Sequence, residues 1–124
     1  MLITVFTPTY NREQLLSRLF TSLQEQSFKD FEWLIVDDGS TDNTHDVVVK
    51  FVEEGIVPIK YVFKRNGGKH RAINEGVKHA KGELFFIVDS DDMLPPDTLK
   101  RVAEVYQQIK DDRDFGGVAG VDAY

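Results

Sequence analysis

Four short apolar runs, each followed by a stretch whose apolar residues recur at helical spacing, constrain this chain more than any other feature. Leu2 to Thr7 is apolar, β-branched and closed by Pro8, as a buried strand should be. From Arg12 to Gln26 the residues Leu15, Leu16, Leu19, Phe20 and Leu23 fall on one stripe, with Asn11 a suitable N-cap. The pair then repeats. Phe31 to Val36 precedes a helix carrying Val47, Val48, Phe51 and Val52 and ending at Gly55. Ile59 to Phe63 precedes one carrying Ala72, Ile73, Val77 and Ala80, which Gly82 stops. Leu84 to Val88 is the fourth strand; Pro95-Pro96 opens a helix through Leu99, Val102, Ala103, Tyr106 and Ile109, and Val118 to Asp122 is a candidate fifth strand.

Alternation of this kind, with strands apolar throughout, predicts an α/β fold. Its layers are αβα, around a mostly parallel sheet of about four to five strands with helices on both faces. A length of 124 residues fits one domain, residues 1–124. In such sheets ligands bind beyond the carboxyl ends of the strands, where the strand order reverses.

Composition removes several classes of function. The absence of cysteine excludes disulfide scaffolds, thiolate metal sites and a cysteine nucleophile. A formal charge of −6 opposes a nucleic-acid partner or an anionic membrane surface. No apolar run approaches the roughly 20 residues of a membrane span, so no transmembrane segment is expected. The N-terminus lacks a basic n-region, so we expect a cytoplasmic protein.

Polar residues collect where the predicted strands end. Asp89 and Asp91 stand two apart, which in extended chain projects both carboxylates the same way. Clustered carboxylates call for a cation, and their hard oxygens suit Mn2+ or Mg2+ carrying a diphosphate; a turn that merely caps the next helix is the plainer reading of the same run. Asp37 and Asp38 close the second strand, and a carboxylate there can accept a hydrogen bond from a base N–H. Gly67 and Gly68 free backbone N–H groups at a helix start beside Lys69 and Arg71, an arrangement suited to phosphate oxygens or simply to a glycine corner. Dinucleotide-binding, P-loop and nucleophile-elbow motifs are absent.

Thr7-Pro8-Thr9-Tyr10-Asn11, then Val36-Asp37-Asp38-Gly39-Ser40-Thr41-Asp42, then Asp89-Ser90-Asp91-Asp92 resemble family 2 glycosyltransferases with the GT-A fold. Asn66, Gly67, Ala72, Asn74, Gly76, Ala80, Gly82 and Glu83 match that family's central stretch, so the resemblance covers nearly the whole chain. It implies transfer of a sugar from a UDP- or GDP-linked donor to a sugar or lipid-linked acceptor, with inversion in the complete enzyme. Thr7, Pro8, Thr9 and Tyr10 would wall the nucleoside pocket and Asp38 would bind the base. Asp89 would contact ribose or help with the metal, Ser90 would lie with the donor, and Asp91 would ligate Mn2+ or Mg2+. Gly67, Lys69 and Arg71 would meet phosphate. The family's general base and acceptor site lie beyond the DxD motif, so the chain is expected to be a truncated, donor-binding part whose catalytic base is unassigned. Self-association through an exposed sheet edge is a further expectation, as is a peripheral position at the inner face of the membrane. A non-catalytic module that binds nucleotide sugar or a protein partner is the alternative.

Overall fold

Strands and helices alternate without exception among the residues that the computed structural model describes, 1–112 and 119–123. They are β1 Ile3–Thr9, α1 Leu16–Gln24, β2 Phe31–Asp37, α2 Thr44–Glu54, β3 Ile59–Phe63, α3 Lys69–His79, β4 Leu84–Val88, α4 Thr98–Asp112 and β5 Ala119–Ala123. The sheet is parallel throughout, in the order β3-β2-β1-β4-β5. The strand expected over Val118 to Asp122 is β5; Val118 itself lies outside the described residues.

Strand side chains divide by the two-residue pleat. Ile3 and Val5 of β1, Trp33 and Ile35 of β2, and Leu84, Phe86 and Val88 of β4 join the apolar stripes of α1, α2 and α4 in one core. Phe6, Leu34, Val36 and Phe85 face the other way and meet Ala72 of α3. Helix α3 sits unusually close to the sheet: a Cβ on Gly76 would lie 2.3 Å from Phe6 Cε1. That closeness turns Gly76 inward beside Ala72, which is buried as expected, and leaves Val77 exposed, against the expectation from spacing. Val52 of α2 is likewise exposed, while Val48 and Phe51 of the same helix are buried.

The order of strands reverses at β1, whose two neighbours leave it at different heights. Pairing with β2 runs to Thr9 and Asp37, whereas pairing with β4 ends at Phe6 and Ile87. Pro8 lies just past the last residue paired with β4, as the penultimate residue of a strand expected to stop before it. The Thr9 carbonyl accepts the Asp38 N–H at 2.8 Å, so Thr9 faces β2 and the polar groups of Pro8 face the unpaired β4 side. Proline therefore costs the sheet no hydrogen bond there, although β1 is central.

Two cap expectations are corrected. Helix α1 starts at Leu16, and Asn11 is not its N-cap. Asn11 has φ 52°, a left-handed conformation that asparagine tolerates better than most residues. Its Oδ1 accepts the N–H groups of Thr41 and Asp42 at 2.8 and 3.3 Å, and its own N–H donates to Ser40 Oγ at 2.9 Å. Asn11 thus staples the loop after β1 to the loop after β2. Gly82 does not end α3, which stops at His79; it is needed because a Cβ would lie 2.5 Å from the Thr4 backbone nitrogen.

Candidate functional site

The divergence of β1 from β4 opens a cavity of about 330 Å³ at the carboxyl edge of the sheet. Pro8, Thr9, Tyr10 and Arg12 come from the end of β1, Asp38 from the end of β2, Lys69 and Ala72 from α3, and Asp89, Ser90 and Asp91 from the end of β4. This is the switch point of the strand order, where the fold leaves polar backbone and side chains free to meet a ligand.

Just beyond β4, Asp89, Asp91 and Asp92 each bring a carboxylate oxygen within 4.8 Å of the others. A turn, closed by the Asp92 N–H donating to the Asp89 carbonyl at 3.0 Å, draws them together. Burial, with the negative charges of Asp91 and Asp89, holds the Asp92 pKa above its ordinary value. Asp92 Oδ2 is buried and has no hydrogen-bond partner. Three hard oxygens gathered in this way, with an unpartnered oxygen on Asp92, fit a small divalent cation such as Mg2+ or Mn2+. The Asp92 N–H serves the turn, while its carboxylate joins the cluster.

The β2 wall is fixed by Asp38, which is almost fully buried. Its Oδ1 accepts Lys64 Nζ at 2.7 Å and the Gly67 N–H at 2.8 Å; its Oδ2 accepts the Gly68 N–H at 2.8 Å. Burial alone would raise its pKa, but the hydrogen bonds from Lys64, Gly67 and Gly68 outweigh it and hold the carboxyl below its ordinary value. The glycine amides expected to meet phosphate are therefore turned onto Asp38. Gly39, at φ 83°, passes so close that a Cβ would lie 2.8 Å from the Asn66 nitrogen.

Three expected residues do not line the cavity. Thr7 is fully buried, and its Oγ1 accepts the Trp33 indole N–H at 2.9 Å on the core side of the sheet. Gly67 spends its N–H on Asp38. Arg71 is exposed and lies on α3 outside the cavity lining, its Cδ against Gly67. Lys69 does reach in, with Nζ 3.2 Å from Asp89 Oδ1. Thr9 contributes a buried hydroxyl that has no partner.

Sequence reasoning missed Arg12, Ala72 and the carboxylate of Asp92, and it missed how the acidic loop is anchored. Gln26 is buried just beyond α1; its Nε2 donates to the Pro95 carbonyl at 2.7 Å and its Oε1 accepts the Leu99 N–H at 3.0 Å. Ser22 Oγ accepts the Leu94 N–H at 3.2 Å. Two polar residues on an otherwise apolar stripe were the available signal.

Comparison with known proteins agrees with this geometry. Residues 4–122 match the model of glycosyl transferase family 2. An uncharacterized glycosyltransferase of Nostoc sp. is 41% identical over 86% of this chain and 33% of its own. The poly(ribitol-phosphate) beta-N-acetylglucosaminyltransferase TarS of Staphylococcus aureus is 37% identical over 83% of this chain and 18% of its own. The structure of TarS with UDP-GlcNAc superposes with a TM-score of 0.80 at 37% identity, over 87% of this chain and 32% of that one. A mannosyltransferase of Pyrobaculum calidifontis, solved with GDP-Man and Mn2+, gives a TM-score of 0.71 at 33% identity, over 75% of this chain and 28% of that one. The chain spans a third or less of the length of these relatives.

Proposed function

The chain belongs to glycosyl transferase family 2, and on that premise we propose that its crevice binds a UDP-linked sugar for transfer to an acceptor, with a divalent ion on Asp89, Asp91 and Asp92. The observation that carries this reading is the convergence of three carboxylates, two of which, Asp89 and Asp91, line one wall of the cavity opposite Lys69.

The state of Asp38 favours uracil over guanine. Each carboxylate oxygen accepts about two hydrogen bonds. Oδ1 already holds two, from Lys64 and Gly67, and Oδ2 holds one, from Gly68. One acceptor position is left on Oδ2. Uracil presents a single imide N–H, whereas guanine presents adjacent N–H donors that pair best with both oxygens of a carboxylate. The complex of TarS with UDP-GlcNAc supports the same choice.

A bound divalent ion supplies Lewis-acid stabilisation of the departing nucleotide diphosphate. The chain's own residues orient the donor. Pro8, Thr9 and Tyr10 form the β1 wall, and Lys69 adds positive charge beside the carboxylates. Asp38, Asp89 and Asp91 are the carboxylates lining the cavity among the described residues; all are committed to donor and metal, so none is assigned as the base that deprotonates the acceptor.

Substitution of Asp91, which is exposed and contributes little to folding, tests the metal site. Asp91→Ala should abolish the dependence of UDP binding on Mn2+ while leaving the thermal transition near that of the parent protein. Unchanged, Mn2+-dependent UDP binding in Asp91→Ala would sink the assignment.

A further inference from the structure

Resting on the reading that this crevice holds a nucleotide diphosphate and a divalent ion, we infer that Lys69 occupies the metal's carboxylate until the donor arrives, and so makes metal binding conditional on nucleotide. Lys69 Nζ lies 3.2 Å from Asp89 Oδ1, and Asp89 is one of the three carboxylates that share a space 4.8 Å across. The two residues come from opposite walls: Lys69 is the first residue of α3, directly after Gly68, whereas Asp89 follows β4. An ammonium and a divalent cation cannot hold the same carboxylate oxygen at close range, so each weakens the other's hold on Asp89.

A diphosphate changes that competition, because it offers the ammonium a second anion within the same cavity. Lys69 has the means to move. Its side chain is 60% exposed and ends in a compact charge on a flexible stem, free of the fixed fork that an arginine would impose. Once the ammonium turns to the diphosphate, Asp89 is released to the ion. Nucleotide and metal then favour each other by more than their direct contact provides, and by linkage the effect is the same in either order of addition.

The test is Mn2+ binding, followed by paramagnetic resonance of the free ion, in the full chain with and without saturating UDP. Wild type, Lys69→Gln and Lys69→Arg are compared, with thermal melting as the control for folding. In Lys69→Gln, Mn2+ alone should bind about two- to five-fold tighter, the range expected for loss of an exposed ion pair. The factor by which UDP strengthens Mn2+ binding should fall at least as much, and Lys69→Arg, which keeps the charge but brings the fixed fork, should restore only part of it. A Lys69→Gln protein whose Mn2+ affinity shifts equally with and without UDP, or not at all, overturns the inference and leaves the donor site standing. A wild-type protein that binds no Mn2+ even with UDP overturns the donor-site reading and this inference with it.

Discussion

Lys64 Nζ lies 2.7 Å from Asp38 Oδ1, joining the residue after β3 to the residue after β2 across one wall of the cavity. The pair is largely buried, at 19% and 9% side-chain exposure, and the amides of Gly67 and Gly68 complete the carboxylate's partners. Asp38 thereby sets the path of the loop that delivers Lys69 to the site.

This arrangement predicts a pH dependence. The folded pKa of Asp38 is depressed below its ordinary 3.8, so its stabilising contribution is complete above that value and is lost as pH falls through the folded pKa. Asp38→Asn should therefore be less stable than wild type by about 1–3 kcal/mol at pH 7, since a buried ammonium and amides lose a charged acceptor. The gap should narrow below about pH 4. Urea denaturation of both proteins at pH 7 and pH 3 checks this; a gap that is constant with pH would contradict it.

Gly76→Ala should destabilise the protein by about 1–3 kcal/mol through overpacking, despite a gain in helix propensity of about 1 kcal/mol. Its new methyl group would meet the Phe6 ring, and relief requires α3 to move off the sheet. Because α3 begins at Lys69, UDP affinity should fall as well. Equilibrium unfolding and UDP titration of the same variant check both effects.

Thr9→Val tests the unpartnered hydroxyl at the end of β1. It is buried without a hydrogen-bond partner, so a methyl group of similar shape should leave stability unchanged or raise it by about 1 kcal/mol. Equilibrium unfolding of the variant checks this; a clear loss of stability would show that the hydroxyl has a partner in the fold.

How much of this was legible in the sequence depended on whether the cause was local. Strand and helix order followed from apolar periodicity, and the acidic and basic clusters were recognisable because each sits directly after an apolar run. Asn11 was misread as a helix cap because its real partners, Thr41 and Asp42, are brought to it only by the sheet. The amides of Gly67 and Gly68 were read as free because nothing local says that Asp38 lies beneath them. Thr7 looked like a neighbour of Thr9, yet the Trp33 indole draws its hydroxyl into the core. Gly76 carries no hydrophobic signal, so the inward face of α3, legible at Ala72, was assigned in part to Val77. The contribution of the Asp92 carboxylate was hidden for a related reason: a residue that closes a turn with its backbone keeps its side chain for other work.

The central claim is a metal-assisted site for a uridine diphosphate, and calorimetric titration tests it most directly. UDP and GDP would each be added to the protein in Mn2+ and again in EDTA. We predict saturable binding of UDP in Mn2+, loss of most of that affinity in EDTA, and weaker binding of GDP throughout. UDP binding that is equal in Mn2+ and EDTA, or no UDP binding in either, would contradict the account.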